Sequence, residues 1–233
     1  MVAEEGTFPQ STAKFTTRSL DIRKVGDSLP VTEEFYEDES RAAAELEQFL
    51  TINVDLKVDN ALINDPGTGN TIKGMLASAK AYTAVASGIA GANLKDLVIK
   101  MRNSITRLRG SKFNPDMVLV SSSTMEGLVL AKDENNNYIF DENTGTLGGL
   151  FVVVDEQMPD NEIIVGDRRF ATIYEKAGFT MKKDTVNNQF LEDIETIKVR
   201  KRLALLIKNY DEYGFAKVTD VNAALATLAT PAV

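Results

Sequence analysis

Between residues 32 and 64, apolar positions recur at steps of mostly three, four or seven: Phe35, Ala42, Leu46, Phe49, Leu50, Val54, Val58, Ala61 and Leu62. This is one face of a helix. Thr32 is placed to cap it. Glu33, Glu34, Glu37, Asp38 and Glu39 crowd its first turns, where the helix dipole favours negative charge. Helical throughout, the segment is about 48 Å long, more than the width of a compact small domain. Inside it, residues 51–58 (TINVDLKV) alternate polar and apolar like a half-buried strand. As a helix, the octet puts Val54 and Val58 on one face and Ile52 and Leu56 on another, which predicts a helix packed on two sides. Helix is the preferred reading. Asp65-Pro66-Gly67-Thr68-Gly69 stops it, because proline and glycine do not continue a helix.

On either side of this helix the pattern is mixed. Residues 14–31 read as extended, with Leu20 and Ile22 alternating with Asp21 and Arg23, and Gly26-Asp27 reads as a turn or bulge. Residues 76–92 are small and weakly patterned, which predicts a loop with little regular structure. Asn93 then caps a helix whose Leu94, Leu97, Val98, Met101, Ile105 and Leu108 follow helical spacing; Asp96 supplies a capping box and Gly110 the stop. Residues 117–120 form a short buried strand, and Ser122 or Ser123 opens a helix to about Ala131. Residues 133–146 (DENNNYIFDENTGT) are a polar surface loop. Strands are predicted at 151–154 and 162–165, at 171–174 and 179–182 around Gly178, at 196–207 and at 214–218. The uncharged residues 221–233 read as a flexible tail. The fold class is therefore α+β. The long helix and flanking strands (14–70 and 168–220) make one domain, residues 71–167 an inserted second one, and residues 1–13 a flexible lead-in.

Composition narrows the function. The 233 residues are 43% hydrophobic and 26% charged, as in an ordinary globular chain. A net charge of −8 argues against a protein that coats nucleic acid through phosphate neutralisation. No run of 18 apolar residues predicts a membrane-spanning helix. The sequence has neither cysteine nor histidine, which removes disulfides, thiol nucleophiles, imidazole bases, Ser-His-Asp triads and ordinary zinc sites. An enzyme would have to rely on carboxylates, Lys, Ser/Thr and Tyr.

No single motif carries chemistry. The run from Asp65 to Gly74 suggests a phosphate loop, but Lys73 precedes Gly74 instead of following a glycine, and Ile72 stands where a dinucleotide loop needs its third glycine. A helix stop with a turn explains it. The pairs Asp133/Glu134 and Asp141/Glu142 lack EF-hand spacing and read as a solvated loop. Ser121, Ser122 and Ser123 with Lys132 lack the SxxK spacing of a Ser-Lys nucleophile and read as a helix cap. Lys198, Arg200, Lys201 and Arg202 form a basic cluster on a strand. It faces nucleic acid, a neighbour's acidic surface, or ordinary ion pairs on a sheet.

Four separated segments, in order, resemble one family. LDIRKVGDSLPVTEEFYED with the long helix and DNALINDPGTGNTIKGML is similar to the strand, spine helix and Asn/Gly-rich turn of tailed-bacteriophage major capsid proteins. NPDMVLVSSSTMEGLVLAKDENNNYIF, LGGLFVVVDEQMPDNEIIVGDRRFATIYEKAGF and VRKRLALLIKNYDEYGFAKV resemble that family's following strand, helix, loop and closing strands. The resemblance spans residues 14–220. It implies the Hong Kong 97 capsid fold, with a peripheral domain bearing the spine helix 32–64 and an inserted axial domain. It implies a structural major head protein of a phage or prophage, assembled in the bacterial cytoplasm into the icosahedral capsid of a virion. The partners implied are further copies of the chain, in pentamers and hexamers, with packaged DNA contacted weakly at most. No catalysis, cofactor, metal, membrane or small-molecule substrate is implied.

Two departures qualify the resemblance. Only 31 residues precede Thr32, room for the returning strand of the family's extended loop but not for its N-terminal arm, so a shortened or divergent start is expected. Some members also join subunits by an isopeptide bond between Lys and Asn with a Glu as base. Here Asp193 falls at the Asn position and Arg200 at the Glu position, with Lys14 as the loop lysine, so no such bond is expected. Two other functions compete: the shell of an encapsulin-type protein compartment, and a carboxylate-dependent enzyme whose inserted lobe covers a cleft.

Overall fold

A computed structural model describes residues 12, 17, 19–38, 40–108, 112–132, 138 and 145–232. The expectations for residues 1–11, Lys14, Glu39 and Gly110, and most of the 133–146 loop, fall outside these. Strand β1 (Arg23–Thr32) runs straight into helix α1 (Glu33–Asp38), followed by the long helix α2 (Ser40–Asn64). The first amide of α1 is satisfied by backbone: Glu33 N donates to the carbonyl of Asp193 at 2.8 Å. The octet 51–58 is helical, and Thr51 Oγ1 donates back to the Glu47 carbonyl at 2.9 Å.

Spine helix α2 lies on a three-stranded antiparallel sheet of order β1-β8-β7, with β7 at Ala171–Asp184 and β8 at Ile194–Ile207. Leu50, Val54, Val58 and Ala61 of the helix pack with Ile197, Val199, Leu203 and Leu205 of β8. The expected two-sided packing is corrected. Val54 and Val58 are buried, but Ile52 and Leu56 are 50% and 49% exposed, because that face of the helix points away from the subunit. The turn expected at Gly26-Asp27 is also corrected. Gly26 pairs with Arg200 and Asp27 with Val199 in unbroken register. Glycine is needed there because a Cβ would approach the Val199 carbonyl to 2.7 Å. The two strands expected around Gly178 are one 14-residue strand. Register shifts between Glu175 and Ala177 and between Ala177 and Thr180 absorb the glycine as bulges.

The second sheet has six strands in the order β2-β9-β6-β3-β5-β4. They are β2 (Lys80–Ala81), β3 (Met117–Val120), β4 (Thr146–Leu147), β5 (Leu150–Val154), β6 (Ile163–Gly166) and β9 (Phe215–Val218). Central β3 is buried at every residue because both of its faces are covered. Val118 and Val120 pack into one core with helix α4 (Leu94–Arg107), while Met117 and Leu119 pack into the spine's core. As expected, α4 opens on a reciprocal Asn93–Asp96 capping box. Helix α5 (Ser122–Val129) is capped by Ser121.

Residues 82–92 carry neither helix nor strand, as expected of the loop read over 76–92, but its start is ordered: helix α3 (Met75–Ser78) runs into it and β2 pairs with β9 in parallel. Two expectations for the second half are overturned. The tail is held. Residues Val221–Ala229 form helix α6, capped by Asp220, with Val221, Ala224 and Leu228 buried. Loss of charge there marks a core-facing helix. Finally, β9 pairs with β6 and belongs to the six-stranded sheet, so the sheets do not divide at residue 220 as the 168–220 boundary required. Among the described residues no helix is long and apolar enough to cross a membrane.

Candidate assembly surfaces

The four-residue basic cluster divides by strand parity. Side chains of β8 alternate between faces, so Lys201 points to the spine, where it lies 3.9 Å from Asp55 and 3.6 Å from Glu175. Lys198, Arg200 and Arg202 point to the opposite, outer face. Cross-strand register adds two cations that the linear sequence keeps far away: Lys24 stands opposite Arg202 on β1, and Lys182 opposite Lys198 on β7. Ser28, Gly26 and Thr180 fill the spaces between them. No local pattern in sequence marks Lys24 or Lys182 as part of this surface.

A second surface lies on the outer side of α2. Phe49, Ile52 and Leu56 are each about half exposed and follow helical spacing. Asp55 and Asp59 flank them. Burial, then the nearby charges of Asp155 and Asp55, push the Asp59 carboxyl above its ordinary value, against the pull of Lys201. This face is apolar with an acidic border, whereas the outer sheet face is basic.

The remaining charged groups lock elements together. Glu212, buried beside β9, accepts from Lys73 at 2.6 Å and Lys80 at 2.8 Å. Lys73 is thus the anchor of the Asp65–Gly74 turn, which is closed by the Ile72 amide donating to Asp65 Oδ2 at 3.2 Å. Fully buried Asp167 accepts from the Asn114 amide and from both the guanidinium and the amide of Arg169. The serine run is structural too: Ser121 caps α5, Ser122 bonds Glu156 and Ser123 bonds Asp160. Lys132 lies 4.8 Å over the Tyr138 ring, and no hydrogen bond joins it to those serines. Among the described residues no group of three or more acids is placed to hold a metal ion.

This two-sheet architecture, with a long helix across it, matches known proteins. The model of the phage capsid family matches residues 1–219. The chain belongs to the phage capsid family. The major capsid protein of Enterobacteria phage HK97 is 21% identical over 211 residues, 88% of this chain and 54% of that protein. The chain thus spans about half the length of this curated relative. A solved chain of Mycobacterium phage Bobi superposes with a TM-score of 0.73 at 20% identity, covering 94% of this chain and 80% of that one. A chain from the capsid of an empty GTA particle gives 0.66 at 16% identity, covering 91% and 79%. The fold is α+β and of the Hong Kong 97 type.

The positions compared with the isopeptide site are Asp193, Arg200 and Lys14. Asp193 sits in a left-handed conformation (φ 49°) just before β8, with its carbonyl engaged by Glu33. Arg200 lies on the basic outer face and Lys14 outside the described residues.

Proposed function

We propose that the chain is the shell-forming subunit of a phage or prophage head, many copies of which close into an icosahedral container for DNA. The observation that carries the reading is the superposition of 91% of this chain on a chain from the capsid of an empty GTA particle. Family membership supports it from the sequence side. The unit of α2 with the three-stranded sheet corresponds to the peripheral domain. The six-stranded sheet with α4, α5 and α6 corresponds to the axial domain. Assembly of this kind needs no strong pairwise contact, since weak interfaces repeated by symmetry become strong together. The function assigned is structural, with pentamers and hexamers making up the shell and assembly in the bacterial cytoplasm, and the net charge of −8 limits contact with DNA.

Electron microscopy of the protein expressed from its complete native reading frame tests this. Closed shells with nuclease-protected DNA are expected. Shells enclosing an enzyme would replace this reading by a protein compartment, and a protein that stays monomeric would overturn it.

A further inference from the structure

Lys24, Lys182, Lys198, Arg200 and Arg202 share the outer face of the three-stranded sheet. None of them has an ion-pair or hydrogen-bond partner among the described residues. Two of the cross-strand pairs, Lys24 with Arg202 and Lys182 with Lys198, set like charges directly opposite each other. At a strand spacing of about 4.8 Å such pairs oppose sheet formation. The one acid that register places on this face is Asp184, opposite Thr196 at its end. In addition, the Nε of Arg202 is shielded from water without an acceptor. A shielded donor left unpaired is costly. Carboxylates brought onto this face would relieve the like-charge repulsion and neutralise the Arg202 guanidinium.

The chain carries those carboxylates elsewhere. Helix α1 has the sequence EEFYED, and Glu33 and Glu34 are exposed and unpaired among the described residues. Within one subunit they cannot serve. Glu33 follows Ser28, the partner of Lys198, by five residues, about 17 Å of strand, and follows Lys24 by nine, about 30 Å. The acidic and basic patches are therefore distinct surfaces, which is the arrangement of a head-to-tail contact; repeated by a rotation that closes, it makes a ring. Nucleic acid fits less well, because the rest of the chain is even more negative than the net −8 and repels phosphate.

The geometry points to the basic outer face of the sheet docking on the acidic helix α1 of a second copy of this chain. This rests on the shell reading above and names the surfaces through which neighbours meet. Two variants test it, Lys198→Glu/Arg200→Glu and Glu33→Lys/Glu34→Lys, followed by sedimentation velocity and electron microscopy. Each alone should assemble at least about tenfold more weakly than wild type. In an equimolar mixture the association of the two variants with each other, read as hetero-pairs and even-membered rings, should recover to within about threefold, because each variant then offers the other a complementary surface. That recovery also shows that both variants fold. The milder Lys198→Gln/Arg200→Gln variant should weaken assembly by an intermediate factor. Wild-type assembly by both reversals, or a mixture that does not recover, overturns the inference while leaving the shell reading intact. So does loss of binding to a short DNA duplex by Lys198→Glu/Arg200→Glu with assembly unchanged, which would assign the face to nucleic acid. A wild-type protein that stays monomeric overturns both.

Discussion

Glu212 is 6% exposed and is held by two lysines from segments more than 130 residues away in sequence. Burial pushes its carboxyl up, but the hydrogen bonds and charges of Lys73 and Lys80 outweigh this and hold it below the ordinary glutamate value. Asp167 behaves alike: burial raises it, and Arg169 with the Asn114 and Arg169 amides brings it lower. A carboxylate whose folded value is depressed stabilises the fold above its unfolded value and loses that contribution as pH falls through the folded value. Unfolding by urea should therefore become markedly easier below about pH 4.5. Glu212→Gln should flatten that dependence and lower stability at pH 7 by about 1–3 kcal/mol, since the lysines lose a buried partner. Gly166 offers a test of packing. It pairs with Phe215, whose ring is buried and would be struck by any Cβ at 166. Gly166→Ala should cost about 1–3 kcal/mol by overpacking, read as a lowered melting temperature.

At the scale of elements, α2 shows how one helix serves two purposes. Leu50 is 1% exposed and Ile52 50%, two residues apart. Leu50→Ala should lower folding stability by about 2–5 kcal/mol in denaturant titration. Ile52→Ser should stay within about 0.5 kcal/mol, because its side chain is already half in water. The helical character of 51–58 was legible from the longer period around it. Its second apolar face was legible too, but not what covers it, since hydrophobicity says that a surface wants burial without saying whether by the same subunit. The basic strand β8 is a similar case. Parity alone separates Lys201 from Lys198, Arg200 and Arg202, whereas the addition of Lys24 and Lys182 depends on long-range register.

At the scale of the whole molecule, the two sheets share cores through β3, whose alternate residues face opposite layers. The chain leaves the three-stranded sheet after α2, builds most of the second sheet, returns for β7 and β8, and closes with β9 and α6 in the second sheet. Assembled particles should show no covalent ladder after boiling in SDS, because Asp193 and Arg200 stand where crosslinking needs Asn and Glu. A ladder would show a crosslinking chemistry based on other residues.

By itself the sequence determined the class α+β, the long helix, the Asn93 cap, the buried strand β3 and the capsid family, because these rest on local periodicity, capping and an ordered series of segments. Only the tertiary structure decided that Gly26 lies inside a strand, that 221–229 is a packed helix, that β9 joins the second sheet, and that five cations share one face. Each of those depends on which distant strand or core lies alongside, and the free energy of that contact is absent from any local window of sequence.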